Sequence, residues 1–368
     1  MKIALIAHLK HPISEPYQGG LEMHTHILTR ELMERGHDVT LFALADSDNS
    51  FRVIEPPLDA IRMGEGIDLF EDQIRQEQQF INKLHAYQWV MQKIGAGDYD
   101  LVHNNCLHFY PLANAHVLDC PMVTVLHTPP FPSLQSGALL ARSYLGNRFV
   151  SISDSLGEAW SAYVNHYELV YNGIDVDRWT YCGEAEPRTA VWCGRFCEEK
   201  GPEYAIEAAR LAGYRLKLAG PVYDQAYFDE RIAPRLGDGI EYVGLLNHDE
   251  LSELINCAAV GLFTSTWDEP FGLVLPEILA CGTPIAAFDS GAAAEILDES
   301  CGVIVPKYDF VALAAAMDQA AALSRPACRL RAVEHFPIGR MIDGYEALYE
   351  KLLRTREPGL ANAYTDVA

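Results

Sequence analysis

"GLFTSTWDEPFGLVLPEILACGTPIAAFDS", residues 261–290, predicts a strand, a loop, a short helix and a second strand in succession. The apolar runs "GLFTST" and "TPIAAFDS" are typical of strands that are buried on both faces of a sheet. The segment "WDEPFG" predicts a loop, and helix-start signals sit at Pro276 and Glu277. A strand that is followed by a helix and another strand predicts a parallel sheet covered by helices.

The same alternation runs along almost the whole chain. Before residue 175 the predicted strands are "KIALIAHL", "DVTLFAL", "DYDLVHNNC", "PMVTVLHT", "RFVSIS" and "ELVYNGI"; after residue 186 they are "TAVWCGRF", "RLKLAGP", "IEYVGLL", "AVGLFTST", "TPIAAFDS" and "GVIVP". Apolar spacing predicts helices after the turn "YQGGLEMHTH", from Leu69 to Ile94, and over the C-terminal segment "RMIDGYEALYEKLL". The irregular, polar segment 173–188 predicts a linker between the two series.

The fold class expected from this pattern is α/β, with two doubly wound Rossmann-like domains that face a cleft. The first domain is predicted to cover residues 1–175, and the second is predicted to cover residues 186–335, with a helix at 338–356 after it. Ligands of such sheets bind at the carboxyl ends of the strands, so we expect the binding site there.

Composition excludes several function classes. The chain has 368 residues, a formal charge of −23 and nine cysteines. So many acids make nucleic acid an unfavourable partner. No apolar stretch has the length of an integral membrane segment, and the N-terminus does not resemble a signal peptide. The scattered cysteines, without a C-x-x-C pair, favour a cytoplasmic protein without disulfides, and a metal role for Cys193 and Cys197 is not expected.

Two cations follow one predicted strand in "VWCGRFCEEKGPEYAIEAAR". Arg195 comes after the strand end, and Lys200 precedes a glycine and a predicted helix. A planar guanidinium and a compact ammonium together suit a diphosphate. The alternative is a solvated loop with two surface cations.

A second group of candidate binding residues, made of backbone donors and two acids, is predicted after the strand "GLFTST". Backbone N–H groups around Gly272, Leu273 and Val274 are expected to point toward an anion near a helix start. Glu269 can accept hydrogen bonds from sugar hydroxyls, and Glu277 can hold a vicinal diol. The pattern favours a nucleotide sugar, whereas an acid that complements the helix dipole would explain Glu277 alone.

Three other groups of polar residues could suggest a metal site or an acceptor site. "DSD" at 46–48 lies in a loop rich in Asp, Ser and Asn, and no metal is predicted there. The two histidines of "HTH" at 24–26 point in different directions on a helix, so a shared metal is not expected. His103 and His108 flank a predicted strand end, and they either line an acceptor site or are ordinary loop histidines.

These motifs resemble those of the family 4 retaining glycosyltransferases of the GT-B type, and the resemblance extends over nearly the whole chain. "DEPFGLVLPEILACGTPI" matches the signature with two acids, and "GRFCEEKG" matches the diphosphate-binding segment. "QGGLE" and "ERGHDVTLF" match the N-terminal glycine loop and second strand, and "YNGID" matches the hinge. The C-terminal helix resembles the helix that crosses back to the first domain.

The resemblance implies a role for each matching residue. Arg195 and Lys200 would neutralise the leaving diphosphate, Glu269 and His127 would meet the donor sugar, and Glu277 would bind ribose. A turn histidine at a strand end is the alternative for His127. The other implied donor-binding residues are Gly272, Leu273, Val274, Gly220, Gly19 and Gly20.

The predicted reaction is transfer of a hexose from a nucleoside diphosphate sugar to an acceptor hydroxyl, with no metal and no cofactor. UDP-glucose is the favoured donor, on the frequency of donors in the family, and GDP-mannose is its main competitor. The first 150 residues carry more acids than bases, which weakly favours a soluble or small-molecule acceptor. Alternatives are a nucleotide-sugar epimerase or hydrolase, and a non-catalytic regulator that binds nucleotide sugars. A dinucleotide-dependent oxidoreductase is disfavoured, because no G-x-G-x-x-G follows the first strand.

Overall fold

The structure is a computed structural model that describes residues 1–17, 19–57, 71–181 and 183–354. Four parts of the predicted elements lie outside these residues: Gln18 of the glycine loop, Leu69 and Phe70 of the long helix, Cys182 of the linker, and residues 355–356 of the C-terminal helix. The chain separates into two compact units. The first comprises Met1–Ile152, Leu156–Val170 and Ile342–Ala368, and the second comprises Ser153–Ser155 and Tyr171–Met341.

The first unit contains a seven-stranded parallel sheet in the order β3-β2-β1-β4-β5-β6-β7. Its strands are β1 Lys2–Ile6, β2 Asp38–Phe42, β3 Arg52–Ile54, β4 Leu101–Asn104, β5 Met122–Leu126, β6 Asn147–Ser151 and β7 Tyr167–Leu169. Strand β3 was not predicted, because three residues are too few to show a periodic pattern. The others match predicted strands, and β1, β4 and β5 are almost fully buried, as expected for a sheet covered on both faces.

The helices of the first unit connect successive strands. They are α1 Gly20–Glu34, α2 Glu71–Gly95, α3 Phe109–Ala113, α4 Pro132–Ala141 and α5 Asp154–Trp160, with a 3₁₀ turn at Ala115–Val117. The first two residues of α5 belong to the second unit. Helix α1 buries Leu28 and Leu32, and α2 buries Val90, Met91 and Ile94. Apolar residues at this spacing hold each helix against the sheet.

The second unit repeats the plan with a six-stranded parallel sheet in the order β10-β9-β8-β11-β12-β13. Its strands are β8 Glu186–Cys193, β9 Arg215–Ala219, β10 Ile240–Gly244, β11 Ala258–Phe263, β12 Ile285–Phe288 and β13 Gly302–Val305. A core that includes Trp192, Leu218 and Leu262 packs between this sheet and its helices. Two parallel sheets with interleaved helices confirm the predicted doubly wound fold class.

The helices of the second unit are α6 Pro202–Ala212, α7 Gln225–Tyr227, α8 His248–Cys257, α9 Val274–Ala280, α10 Ala293–Ile296, α11 Phe310–Ala321 and α12 Arg325–His335. Helix α9 begins at Val274, two residues before the predicted start at Pro276. Proline is tolerated within the first turn, because an N–H there has no partner inside the helix. Pro276 therefore marked the first turn of α9 rather than its first residue.

Helix α13, Ile338–Arg354, begins in the second unit and belongs to the first unit from Ile342 onward. It buries Tyr345 and Tyr349 completely. Arg35 at the end of α1 forms ion pairs with Asp343 and Glu346 of this helix. Among the helices that the structure describes, none combines the length and apolar character that crossing a membrane requires.

Candidate active site

The order of strands in the second sheet reverses between β8 and β11, which are neighbours although two strands separate them in the sequence. The loops that follow them leave the same edge of the sheet and diverge around this point. In open α/β sheets this is where ligands bind. The loop after β8 carries Arg195 and Lys200, and the loop after β11 carries Glu269. Strand order therefore brings together residues that are about 70 positions apart.

The carboxylate of Glu269 is held by three donors on a single oxygen. Its Oε2 accepts hydrogen bonds from Lys200 Nζ at 2.6 Å, Trp267 Nε1 at 2.8 Å and Ser265 Oγ at 3.0 Å. The side chains of Lys200 and Glu269 are only 18% and 12% exposed. Within the described residues Oε1 of Glu269 accepts no hydrogen bond, so one oxygen anchors the side chain and the other can receive a ligand hydroxyl.

Arg195 is more exposed than Lys200. Its guanidinium is 3.5 Å from Glu199 and lies 5.0 Å from the ring centroid of Tyr223. Both members of the Arg195–Glu199 pair are at least 40% exposed, so the pair is weak. Most of the five N–H donors of the guanidinium therefore remain accessible to an anion. Tyr223 was not predicted, because nothing in a single sequence indicates that the loop after β9 lies beside the loop after β8.

Gly220, predicted from the resemblance to lie near the donor, supports the loop that carries Arg195. It follows β9 with φ of +139°, and a Cβ atom there would lie 2.0 Å from the carbonyl oxygen of Gly194. Gly291 supports the loop after β11 in the same way, since a Cβ atom at this position would lie 2.1 Å from the carbonyl oxygen of Glu269. Only glycine allows both approaches.

The start of α9 presents backbone donors beside Glu269. The backbone N–H groups of Gly272, Leu273 and Val274 donate to no acceptor within the described residues. They lie just before the helix and at its first residue, where the helix dipole is positive. The predicted residues are thus placed where an anion could accept their hydrogen bonds.

Glu277 lies one position after Pro276 in α9 and is partly exposed. Burial raises the pKa of its carboxyl to about 8. Among the described residues nothing donates a hydrogen bond to it or forms an ion pair with it. Burial raises the pKa of the nearby Cys193 thiol, and the charge of Glu277 adds to this effect. A ligand diol that donates two hydrogen bonds to Glu277 would stabilise the ionised form.

A cavity of about 750 Å³ lies beside the loop after β8. Its lining includes Glu198, Glu199, Glu203 and Asp224, with Arg231 as the only cation among the lining residues. An acidic cavity disfavours a diphosphate, and it includes neither Lys200 nor Glu269. The candidate donor site is therefore the edge at β8 and β11, not this cavity.

In the first unit, His127 follows β5 and its Nε2 lies 2.9 Å from Asn105 Oδ1. Burial lowers the pKa of His127 well below its ordinary value. His103 lies inside β4, fully buried, with Nε2 3.0 Å from the same oxygen. A buried strand residue cannot line an acceptor surface, so that alternative for His103 is wrong, and His108 instead caps the start of α3. Asn105 was not predicted as a site residue, although it directly follows β4, the middle strand of the sheet.

The other predicted groups in the first unit have separate partners. Nε2 of His26 lies 2.9 Å from Asp48 of "DSD", whereas His24 faces Asn105, so the two histidines of "HTH" indeed point in different directions. Within the described residues no group of three or more metal-binding side chains lies together. Gly19 precedes α1, which starts at Gly20, and a Cβ at Gly19 would lie 3.0 Å from a carboxyl oxygen of the buried Glu22.

Comparisons with known proteins give a consistent result. The chain is 29% identical over 355 residues to the glycogen synthase of Mycobacterium tuberculosis, covering 84% of this chain and 85% of the relative. It superposes on a sucrose-phosphate synthase from Thermosynechococcus elongatus with a TM-score of 0.74 at 20% identity, covering 97% and 100% of the two chains. It also superposes on the Anabaena protein Alr3699/HepE, solved with UDP-glucose, with a TM-score of 0.67 at 18% identity, covering 95% and 100%.

Two family models match successive parts of the chain. "Glycosyltransferase Family 4" matches residues 18–178, and "Glycosyl transferases group 1" matches residues 182–332. The first match contains the glycine loop and His127, and the second contains Arg195, Lys200, Glu269 and Glu277. With both matches in this order and a parallel sheet in each unit, the chain belongs to the family 4 glycosyltransferases of the GT-B fold.

Proposed function

We propose that this protein transfers a hexose from a UDP-sugar, with UDP-glucose favoured, to an acceptor hydroxyl with retention of configuration and without a metal. The observation that carries the proposal is the arrangement at the β8 and β11 edge. Two cations, a row of backbone donors and two acids lie there, and the acids are of different kinds. Glu269 is paired and anchored, whereas Glu277 has no partner in the described residues.

The cations and backbone donors suit the leaving group. When the bond between the sugar and the diphosphate breaks, negative charge develops on the diphosphate oxygen. Lys200, Arg195 and the N–H groups at the start of α9 can stabilise that charge, and donors fixed before the reaction need no reorganisation. The acceptor oxygen then bonds to the anomeric carbon on the same face, and its proton passes to the diphosphate oxygen.

The two acids suit different hydroxyls. Oε1 of Glu269 can accept a hydrogen bond from a hexose hydroxyl, while three donors to Oε2 keep the side chain in one position. A carboxylate that took the acceptor proton would lose its charge and with it the ion pair with Lys200. We therefore assign Glu269 to orienting the sugar, and Glu277 to binding the ribose diol.

The preference for UDP-glucose rests on the family resemblance and on the Anabaena protein of the same fold that was solved with that ligand. GDP-mannose remains the main competitor. An acceptor that is soluble or a small molecule is proposed from the excess of acids over bases in the first 150 residues.

Thermal melting with a panel of nucleotides tests the proposal. UDP, GDP, ADP, dTDP and CDP, alone and as sugar conjugates, are added to the wild type, Glu277→Ala and the exposed control Glu299→Ala. We expect UDP and UDP-glucose to raise the melting temperature of the wild type and the control selectively, because a ligand of the native state stabilises it by mass action. The shift should be lost in Glu277→Ala.

Transfer itself is measured by product analysis with a panel of soluble acceptors. Proton NMR of the new glycosidic bond should show the anomeric configuration of the donor. A selective shift with GDP would overturn the donor assignment, and an inverted product would overturn retention. Nucleotide binding without transfer or hydrolysis would favour the non-catalytic regulator, and sugar release in the absence of an acceptor would favour the hydrolase.

A further inference from the structure

A cluster of one amide and three imidazoles, buried except for the partly exposed His127, lies at the carboxyl ends of β4 and β5 in the first unit. Asn105 is fully buried, and its Oδ1 lies 2.9 Å from His127 Nε2 and 3.0 Å from His103 Nε2. Its Nδ2 faces α1, with Thr25 Oγ1 at 3.3 Å and His24 Nδ1 at 3.4 Å. Each of these four contacts needs one donor and one acceptor. The position of the hydrogen on any one of these groups therefore constrains the hydrogen positions on the others.

Tyr349 of α13 fixes the direction of these hydrogen bonds. Its hydroxyl lies 2.5 Å from His103 Nδ1, and no other group among the described residues can accept its hydrogen. A buried hydroxyl whose hydrogen is unpaired is costly, so Tyr349 donates to His103 Nδ1. His103 then carries its hydrogen on Nε2 and donates it to Asn105, which must present its oxygen there.

The same oxygen lies against Nε2 of His127. Because an amide oxygen only accepts, His127 must also carry its hydrogen on Nε2. Burial lowers the pKa of all three imidazoles, His24 to about 4 and His103 to about 3, so the rings are neutral at pH 7. Within the described residues nothing donates a hydrogen bond to Nδ1 of His127, which leaves its lone pair available.

We propose that Asn105 and Tyr349 are positioning residues that hold His127 as the Nε2–H tautomer and so make Nδ1 an acceptor for a hydroxyl of the donor sugar. The proposal rests on the proposed function together with the role that the family resemblance implies for His127, which is contact with the donor sugar. Neither positioning residue needs to touch the ligand, since both act through the hydrogen-bond order of the cluster. Hydroxyls that donate to Nδ1 are thereby favoured over groups that only accept.

Two tyrosines of α13 provide a matched pair of variants. The hydroxyls of Tyr349 and Tyr345 are both buried one helical turn apart, but the hydroxyl of Tyr345 has no hydrogen-bond partner among the described residues. Tyr349→Phe and Tyr345→Phe each remove one buried oxygen and keep the ring. Only Tyr349→Phe removes the donor that sets the order of the cluster.

Long-range ¹⁵N–¹H NMR of the full-length protein distinguishes the two neutral tautomers and the cation of each histidine, and His127→Gln assigns the His127 signals. We expect the Nε2–H pattern for His127 in the wild type and in Tyr345→Phe. In Tyr349→Phe the amide of Asn105 can turn over, so His127 should become a mixture. An Nδ1–H or cationic His127 in the wild type would overturn the proposal, even if Tyr349→Phe did not fold.

The affinity for the donor gives a second, quantitative readout. If f is the Nε2–H fraction of His127, the apparent Kd for UDP-glucose by calorimetry should rise as 1/f, about twofold for an equal mixture. An unchanged tautomer in Tyr349→Phe, or a mixture without any change in Kd, would refute the role. If the wild type shows the Nε2–H pattern and binds none of the donors, the proposed function fails and the tautomer assignment stands.

Discussion

Replacing Glu277 by glutamine should make the protein more stable and, at the same time, remove the pH dependence of nucleotide binding. Glutamine has nearly the same shape and never ionises. The carboxyl of Glu277 is desolvated by its surroundings, which raises its pKa from the ordinary value of 4.5 to about 8. Among the described residues no partner offsets that desolvation. The acid therefore destabilises the folded chain wherever the unfolded chain has lost this proton.

The magnitude follows from the two pKa values. The unfolded chain releases the proton near pH 4.5, and the folded chain keeps it up to about pH 8. Between these values folding must take up a proton, so wild-type stability falls as pH rises through this window. The loss is about 1.4 kcal/mol for each pH unit above 4.5, or about 3 kcal/mol at pH 7 and about 1 kcal/mol at pH 5. Glu277→Gln should not show this loss.

Urea unfolding at pH 5, 7 and 9 measures the difference. The gap in free energy of unfolding between Glu277→Gln and the wild type should grow by about 2.5 kcal/mol from pH 5 to pH 7 and level off above pH 8. Any constant cost of burying the amide leaves that slope unchanged. Glu299→Gln, at an exposed acid of the same unit, should show no such slope. Parallel curves for Glu277→Gln and the wild type would refute the reasoning.

The wild type and Glu277→Gln also test the role of Glu277 in ligand binding. If ribose hydroxyls donate to the ionised carboxyl, UDP binding must remove a proton below pH 8, so its affinity for the wild type should rise between pH 6 and pH 8. The affinity of Glu277→Gln should be weaker and independent of pH in this range. Equal pH profiles in calorimetry would show that Glu277 does not bind the diol.

Three further outcomes are expected. Lys200→Ala should lower kcat by about 10²-fold or more, because it removes a cation from the leaving group. The control Lys307→Ala, which breaks the neighbouring ion pair with Asp268, should leave kcat unchanged. Equal kcat values for Lys200→Ala and the wild type in initial-velocity assays would exclude Lys200 from the mechanism. Gly220→Ala should lower the free energy of unfolding in urea more than Gly213→Ala does. Both glycines have a positive φ, but only at Gly220 would the added Cβ collide with a backbone carbonyl, and equal losses would contradict this close approach. Activity should survive EDTA treatment, and full loss that manganese restores would overturn the metal-free proposal.

Much of the fold could be predicted because buried parallel strands appear as apolar runs that need no knowledge of their neighbours. The close approach of Gly220 to Gly194 could not be predicted, because it depends on the register of β9 beside β8. The start of α9 was misplaced because a proline signal does not distinguish the first helical residue from the third.

Candidate residues were predictable where their chemistry was local. Glu269 and Glu277 share one loop and helix, and Arg195 and Lys200 share another loop, so spacing alone indicated two groups. The pairing of Lys200 with Glu269 and the cluster around Asn105 join residues of different strands. Such contacts arise from the order of strands in the sheet, which a single sequence does not state.

The pairing of Lys200 with Glu269 also explains how a protein of charge −23 could receive a diphosphate. Each of the two cations lies against a carboxylate, but the pairs differ in strength. The exposed pair of Arg195 and Glu199 can separate at little cost, so Arg195 can turn toward an anion. The enclosed pair of Lys200 and Glu269 is held by further hydrogen bonds to Glu269 and is expected to persist.

Lys200 has three donors and uses one of them on Glu269, so it can contact the diphosphate without leaving its partner. The cation proposed for the leaving group and the acid proposed for the sugar then form one unit. Removing either side chain frees the other to move and leaves its charge unpaired in a mostly buried place. The effects of Lys200→Ala and Glu269→Gln on kcat should therefore not add, because each substitution already disturbs both proposed roles.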